Sequence, residues 1–171
     1  MDVRRWGSGG PIAASAPYLD LVSGADGLPA AEPLRAGRRL SQGGVSVDVL
    51  RPSEAWIPSD LYASRIPPNE GSTVLLLSAG PCRLLLTGDL GVPGEAALVR
   101  FLGDSLRAEL LHAGHHGSRH SSSASFLARV RPRAVIVSAG AGNRYGHPHD
   151  ETLGRFAAVG ASVHRTDRTG T

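Results

Sequence analysis

Short apolar strands alternate with helical segments from residue 45 onward, and this alternation most limits the folds open to the chain. Strands are predicted at 45–52, 72–77, 83–87, 107–112, 134–138 and 162–165, and helices at 94–102, 123–130 and 149–158. The order is therefore β, ββ, α, β, α, β, α, β, with the Gly80-Pro81 turn closing a hairpin. Helices that alternate with short strands indicate an α/β layered structure.

The composition supports one domain with a core of small aliphatic residues. Apolar residues make up 41% of the 171 residues and aromatic residues only 5%, so mostly Leu, Val and Ala must fill the interior. The 22 glycines and 12 prolines fit short elements joined by many turns. We divide the chain into an irregular segment, residues 1–33, in which only Tyr18–Val22 has helical character, and a domain over residues 34–171.

Charge and cysteine content limit the kinds of site that the chain can hold. All 18 cations are Arg, against 15 Asp and Glu residues, and the net charge of +3 permits a phosphate-bearing substrate. The single Cys82 excludes an internal disulfide and a multi-cysteine zinc site, so His and carboxylate side chains must bind any metal. No apolar run approaches the roughly 20 residues of a membrane span, and no signal peptide is expected.

Three polar clusters each follow a predicted strand, at the end where α/β folds place their ligands. The first is Thr87-Gly88-Asp89. Gly88 permits a sharp turn, so that Asp89 projects from the strand end as a carboxylate able to bridge two divalent metal ions. The structural alternative is a turn aspartate that caps the following segment.

The second cluster is the histidine pair in Gly114-His115-His116-Gly117-Ser118. Imidazole is a common ligand for zinc, manganese and iron, and the flanking glycines favour close backbone approach. Adjacent side chains on an extended chain point to opposite sides, so we expect His115 or His116, but not both, to bind a metal directly. The alternative is a surface histidine pair. Nearby, Ser118, Ser121 and Ser122 are candidate hydroxyl donors to an anion.

The third cluster is Asn143-Arg144-Tyr145-Gly146-His147, a polar recognition patch that precedes Pro148. Arg144 can bind a phosphate with two hydrogen bonds, with Tyr145 beside it. His147 can stabilise an oxyanion or protonate a leaving group. The alternative is an ordinary exposed loop.

These clusters do not make a complete metal centre. A catalytic zinc site takes at least three protein ligands, and a two-metal site takes more. No His precedes His112, so the chain lacks a His-x-His-x-Asp-His type ligand cluster. We assign packing or solvent-facing roles to His112, His149 and His164.

In order and spacing, the clusters resemble the C-terminal domain of the ComEC family of competence proteins. The resemblance is carried by Asn69-Glu70-Gly71-Ser72, Leu85–Asp89, Gly114–Ser118, Asn143–Pro148 and Arg165-Thr166-Asp167, and the segment 34–52 is also similar. The two motifs that contain histidine are the most specific part. The resemblance implies an α/β fold, the C-terminal half of a metallo-β-lactamase-like αββα sandwich, in a chain truncated at its N-terminus.

The same resemblance implies a function and its residues. The activity would be metal-dependent phosphodiester hydrolysis of DNA, single-stranded by expectation, during DNA uptake, with zinc or manganese as the cofactor. Asp89 would be the bridging carboxylate and His115 or His116 the last His ligand. His147 and Asn143 would lie near the substrate phosphate.

Other interpretations stay open from the sequence. The chain can be a non-catalytic remnant or an accessory module that binds nucleic acid or a partner, since the upstream ligand loop is missing. It can also be a hydrolase of the same fold that acts on another phosphoester. Its expected partners are the missing N-terminal half, the channel domain of an inner-membrane parent protein from which this soluble piece derives, or a second copy of itself.

Overall fold

A computed structural model describes residues 34–51 and 68–170. The strands are β1 (Arg39–Gln42), β2 (Val45–Arg51), β3 (Val74–Ala79), β4 (Cys82–Leu86), β5 (Leu110–His112), β6 (Ala134–Val137) and β7 (Ser162–Arg165). The helices are α1 (Val92–Leu102), α2 (Ala124–Val130), α3 (Asp150–Ala158) and α4 (Thr166–Thr169). Short 3-10 turns occupy Pro68–Gly71, Gly103–Leu106 and Gly114–Gly117. The helical prediction at Tyr18–Val22 lies outside the described residues.

All seven strands form one sheet in the order of the chain. Antiparallel pairing joins β1 through β4, and the predicted hairpin is present, with Leu75 opposite Leu86 and Leu77 opposite Leu84. Parallel pairing joins β4 through β7. The carboxyl ends of these four parallel strands therefore meet at one edge of the sheet.

The helices that link the parallel strands pack side by side over one face of the sheet. α1 links β4 to β5, α2 links β5 to β6 and α3 links β6 to β7, and α2 contacts both of its neighbours. Crossovers of one hand that all advance in the same direction place their helices on the same face. Buried side chains fill the space between the sheet and these helices, among them Val74, Leu76, Leu85, Leu111, Val135, Leu98, Phe126, Leu127 and Phe156.

The alternate residues of the same strands point to the second face of the sheet. Leu77, Leu84 and Leu110 are neighbours there and are half-buried, whereas Leu85 and Leu111 on the helix-covered face are fully buried. A sheet with helices on one face and an apolar second face is the arrangement expected for one half of an αββα sandwich. The α/β class is confirmed.

The predicted strands and helices from residue 45 onward are confirmed to within a few residues, but β1 and α4 were not predicted. All four residues of β1 are exposed, so its sequence carries no apolar alternation. The ion pair between Arg39 and Asp48 and the turn at Gly43-Gly44 hold β1 against β2. Within residues 34–51 and 68–170, no helix has the length and apolar character needed to span a bilayer.

Candidate functional site

The polar clusters come together where the parallel strands end. Asp89 follows β4, the histidine pair follows β5, the loop with Asn143 and His147 follows β6, and Thr166 follows β7. In open α/β sheets ligands bind at this edge, because the loops that leave successive strands converge there. The sequence prediction that all three clusters lie at strand ends is confirmed.

A tight turn presents Asp89 at the end of β4. Gly88 has a φ of +55°, and a Cβ there would lie 3.3 Å from the Cβ of Ser72, so a larger residue is disfavoured twice over. The Ser72 hydroxyl accepts the Asp89 backbone N–H at 3.1 Å. This contact fixes the backbone, and the Asp89 side chain remains about half exposed, at 47%.

His115 and His116 adopt a backbone conformation that the sequence analysis did not anticipate. Their φ values are +48° and +56°, both in the left-handed region that non-glycine residues rarely enter. The expected extended conformation of this pair is therefore wrong. The side chains nevertheless diverge, with ring centroids 6.5 Å apart and planes at 69°.

Hydrogen bonds distinguish the two imidazoles. His116 Nδ1 lies 2.8 Å from the Ser138 carbonyl, which can only accept, so Nδ1 carries the proton and the Nε2 of a neutral ring has a free lone pair. That Nε2 is 3.7 Å from Asp89 Oδ1. His115 Nδ1 instead faces the amide nitrogen of Asn69 at 3.4 Å. Of the two rings, His116 has the arrangement typical of a metal ligand oriented by a backbone carbonyl.

The loop after β6 is built around Asn143. Its side-chain oxygen accepts the His147 backbone N–H at 3.0 Å, and its amide nitrogen donates to the carbonyls of His147 and Gly140 at 2.6 and 2.9 Å. Both amide hydrogens are thus used inside the loop. Asn143 therefore acts on His147 by fixing its backbone, which favours a positioning role over substrate contact.

Aromatic and cationic side chains line the outer side of this loop. The Arg144 guanidinium lies 4.9 Å from the ring centroid of Tyr145 and donates to its hydroxyl at 2.7 Å. The Tyr145 ring is 61% exposed and stacks on His147 at 5.8 Å. These three side chains present a continuous polar and aromatic surface to solvent beside the site.

His147 sits among other imidazoles. Its ring centroid is 5.5 Å from that of His115, 6.4 Å from that of His116 and 4.9 Å from that of His149. Partial burial first, and then the neighbouring imidazoles, lower the pKa of His147, and Asp89 opposes this only weakly. His147 is therefore neutral at physiological pH.

A cleft of about 420 Å³ opens beside this cluster. Its walls come from the loops after β5, β6 and β7 and comprise His116, Ser138, Ala139, Gly140, Asn143, Tyr145, His147 and Thr166. The Thr166 hydroxyl both accepts the Ala139 N–H and donates to the Ala139 carbonyl, which ties the start of α4 to the cleft wall. The volume is large enough for a nucleotide-sized ligand.

The three serines proposed as phosphate donors are buried. Ser118 is 3% exposed, Ser121 0% and Ser122 1%. The Ser121 hydroxyl donates to the Gly114 carbonyl at 2.7 Å, and the Ser118 carbonyl accepts from Thr152. A phosphate would reach these hydroxyls only if the loop opened, so their visible role is to shape the loop.

Two side chains at this edge of the sheet are of a type that can bind a metal ion. Asp89 and His116 offer two facing donors of suitable type, but within residues 34–51 and 68–170 no group of three or more His, Cys, Asp or Glu side chains is arranged to hold a metal ion. A catalytic zinc needs at least three protein ligands. Asp89 and His116 alone, within residues 34–51 and 68–170, fall short of that number.

Several residues around the cluster were not among the predicted site residues. Asn69 and Ser72 contact His115 and Asp89 through the 3-10 turn before β3, and their motif was noted only as part of the resemblance. His149, for which a structural or solvent-facing role was expected, accepts the Arg119 N–H at 3.2 Å, and its ring centroid also lies 4.9 Å from that of His147. Ser138 lacked any signal, because it contributes only a carbonyl.

Comparisons with known proteins agree with the resemblance seen in the sequence. The chain is 40% identical over 135 residues to competence protein ComA of Neisseria gonorrhoeae, which covers 79% of the chain and 18% of that protein. It is 38% identical over 103 residues to ComE operon protein 3 of Bacillus subtilis, covering 60% and 13% respectively. It is 32% identical over 135 residues to recombination protein 2 of Haemophilus influenzae, covering 79% and 16%.

These three relatives belong to the ComEC family, and the chain spans less than a fifth of the length of each. No family model matches the chain. Among solved structures, a mutant of CmlA β-hydroxylase aligns with 81% of the chain and 33% of its own length, at a TM-score of 0.46 and 14% identity. Function is therefore inferred from the sequence relatives and from the geometry of the site.

Proposed function

We propose that this chain, a relative of one segment of the ComEC family of competence proteins, forms part of a metal-dependent phosphodiesterase site that acts on DNA during uptake. The chain would provide the edge of the site at the ends of β4, β5 and β6. A segment homologous to the upstream part of its relatives would provide the remaining metal ligands. The active unit would then be the two parts together, next to a membrane channel domain.

One observation carries the proposal: Asp89 and His116 face each other at 3.7 Å with the tautomer of His116 set by Ser138. Two ligands of one tetrahedral metal ion are separated by a similar distance when each bond is about 2.0–2.1 Å long. With Nδ1–H held by Ser138, it is Nε2 of His116 that faces the Asp89 carboxylate. The lone pair on this nitrogen is useful when a cation sits between the two groups.

Each site residue has a distinct part in the proposal. Asp89 and His116 would hold a divalent cation, zinc or manganese, which when bound activates water and neutralises charge on a phosphate. His115, whose Nδ1 faces Asn69, would present its Nε2–H to the substrate. His147, neutral at physiological pH, would bind a phosphate oxygen through its N–H.

The outer side of the cleft fits a nucleic-acid strand. Arg144 is suited to a phosphate, and the exposed Tyr145 ring beside it adds an aromatic surface for a base or sugar. The names of the relatives, competence and recombination proteins, point to DNA rather than to another phosphoester. The aromatic surface favours a single strand, whose bases are free to stack.

The test is a nuclease assay on this chain combined with the upstream segment, with manganese or zinc added. Asp89→Asn and His116→Ala should each lower the hydrolysis rate by about a hundredfold or more. Matched controls are Asp104→Asn and His164→Ala, which change an exposed aspartate and an exposed histidine away from the cleft. Absence of hydrolysis in the complete, metal-loaded protein would refute the proposal.

A non-catalytic binding module is the second candidate, and it is favoured because residues 34–51 and 68–170 hold no group of three or more possible metal ligands. Both candidate functions predict that the isolated chain binds divalent metal ions weakly and hydrolyses DNA poorly. Calorimetry separates them once the upstream segment is added. Two tightly bound metal ions per complex would support the enzyme, whereas DNA binding that is unaffected by metal would support the module. A phosphodiester model substrate that is hydrolysed faster than DNA would point to another phosphoester.

A further inference from the structure

A buried carboxylate on α1 holds the loop that carries the histidine pair. Glu95 is 1% exposed, although it belongs to a helix whose outer face is in solvent. Its carboxylate accepts the backbone N–H groups of Ser122 and Ser123, the second at 2.8 Å. Two N–H donors on one carboxylate pin the far end of the loop to α1.

An arginine on α3 holds the same loop by its carbonyls. Arg155 Nε donates to the Ser122 carbonyl at 2.9 Å, and its Nη2 lies within hydrogen-bond distance of the carbonyls of Ser121 and Arg119, at 2.9 and 3.1 Å. Thr152, one turn earlier on α3, donates to the Ser118 carbonyl. Glu95 therefore binds the N–H groups of the loop and Arg155 its carbonyls, from two different helices.

The loop needs such support because its backbone is strained. Within the described residues 34–51 and 68–170, three of the four non-glycine residues with positive φ lie in it: His115, His116 and Ser122, at +48°, +56° and +54°. Left-handed backbone crowds the Cβ of an ordinary residue against the following carbonyl. Strain of this kind persists only where surrounding contacts over-determine the conformation.

We propose that Glu95 and Arg155 are positioning residues that keep the 114–123 loop in its strained form. Through the loop they would set the places of His115 beside Asn69 and of His116 between Ser138 and Asp89. That these histidine positions serve catalysis rests on the proposed function. The positions themselves can be measured without any assay of activity. Neither residue touches the cleft, so their effect on the site is indirect.

The choice of a carboxylate supports this role over simple packing. Burial is the largest influence on Glu95 and raises its pKa, and the N–H groups of Ser122 and Ser123 and the charge of Arg155 act in the opposite sense. An apolar side chain at this position would avoid the cost of burying a charge. A carboxylate, unlike an amide, offers an oxygen acceptor to each of the two loop N–H groups.

The test compares Glu95→Gln with a matched control, Glu109→Gln, in the full chain. Glu109 also accepts a backbone N–H through its side chain, but from Arg83, at the far end of β4. Amide hydrogen exchange of Ser122 and Ser123 should quicken about tenfold in Glu95→Gln, since one N–H loses its acceptor, while exchange at Leu111 in the core stays unchanged. Unchanged exchange at Ser122 and Ser123 would overturn the proposal.

Arg155→Lys keeps the proposal testable if Glu95→Gln fails to fold, and Ser122→Gly, made in a folded Glu95→Gln protein, tests whether backbone strain is the reason for the support. Arg155→Lys should quicken exchange at the loop while leaving Leu111 unaltered, because a lysine cannot reach all of the carbonyls that the guanidinium holds. Ser122→Gly should restore slow exchange at Ser123 in the Glu95→Gln background, since glycine accepts positive φ without strain. Among the described residues the Ser122 hydroxyl has no partner, so this change removes no hydrogen bond.

The imidazole signals of His116 separate positioning from general stability. If Glu95 positions the loop, Glu95→Gln should shift the His116 ring resonances under conditions where the unfolding free energy is unchanged, and Ser122→Gly should return them. Resonances that move only in step with the unfolding free energy would overturn the proposal. A protein that shows the expected exchange and shifts but hydrolyses no DNA when complete would refute the proposed function alone.

Discussion

At the scale of single residues, the crowding of imidazoles around His147 has a consequence for stability. Its pKa is lowered in the fold, mainly by burial and then by neighbouring rings, whereas an unfolded chain leaves it near its usual 6.5. The folded state therefore binds fewer protons at this residue as the pH falls through that window. We expect the unfolding free energy to decrease as the pH drops below about 6.5.

The variant His147→Asn should weaken this pH dependence by up to about one proton per chain. The measurement is urea unfolding at several pH values from neutral to mildly acidic. His164→Asn is the matched control, because His164 is exposed on the last strand and lies outside the cluster. Equal pH dependence in the wild type and in His147→Asn would show that the fold does not lower the pKa of this ring.

Some properties of the individual site residues could be predicted from the sequence, and others could not. The position of Asp89 at the end of β4 was predictable, because the apolar run through Leu86 ends at Thr87-Gly88, where the chain turns. The tautomer of His116 was not, because it is set by the carbonyl of Ser138, which any residue type could supply. Nor was the left-handed backbone of the pair, which the glycines on either side did not disclose.

At the scale of elements, Gly117 joins the histidine loop to the start of α3. Its φ is +82°, and a Cβ there would lie 2.6 Å from the Cβ of Pro148, while its carbonyl accepts the His149 N–H at 3.0 Å. Gly117→Ala should therefore lower the unfolding free energy by about 2 kcal/mol or more and displace the loop that carries His147.

Gly140 provides the comparison for Gly117→Ala. It lies in the loop after β6, and a Cβ there would have no atom within 4 Å. Gly140→Ala should change the unfolding free energy by less than about 0.5 kcal/mol. Urea unfolding of both variants measures these free energies. Similar losses of unfolding free energy in the two would mean that the contact with Pro148 is easily relieved.

Elements were predictable wherever one side of them faces the core. Apolar period-two and helical patterns located β2 through β7 and α1 through α3, since each buries one face. The strand β1 was not predicted from the sequence, because its stability depends on pairing with β2 and on the Arg39–Asp48 ion pair, and neither of these produces an apolar pattern. The four-residue helix α4 was not predicted, because a single turn is too short to show helical periodicity.

At the scale of the whole molecule, the two faces of the sheet are unequal. Helices cover the face with Leu85 and Leu111, whereas Leu84 and Leu110 beside them are only half-buried and Ile136 is 37% exposed. Contiguous apolar surface on a sheet tends to pack against a second surface of the same kind. The extent of the apolar surface on the second face of this sheet matches the sequence-based expectation that the domain is half of a two-sheet sandwich.

We therefore expect the isolated chain to self-associate at micromolar concentrations through this second face. The double variant Leu84→Ser with Ile136→Ser should increase the monomer fraction, because both side chains lie on that face and neither is needed to fill the core beneath the helices. Val92→Ser changes a valine of similar exposure on α1, away from the sheet, and should leave association as it is. Sedimentation velocity measures all three proteins. A wild-type chain that stays monomeric throughout the concentration series would show that its second face has no tendency to pair.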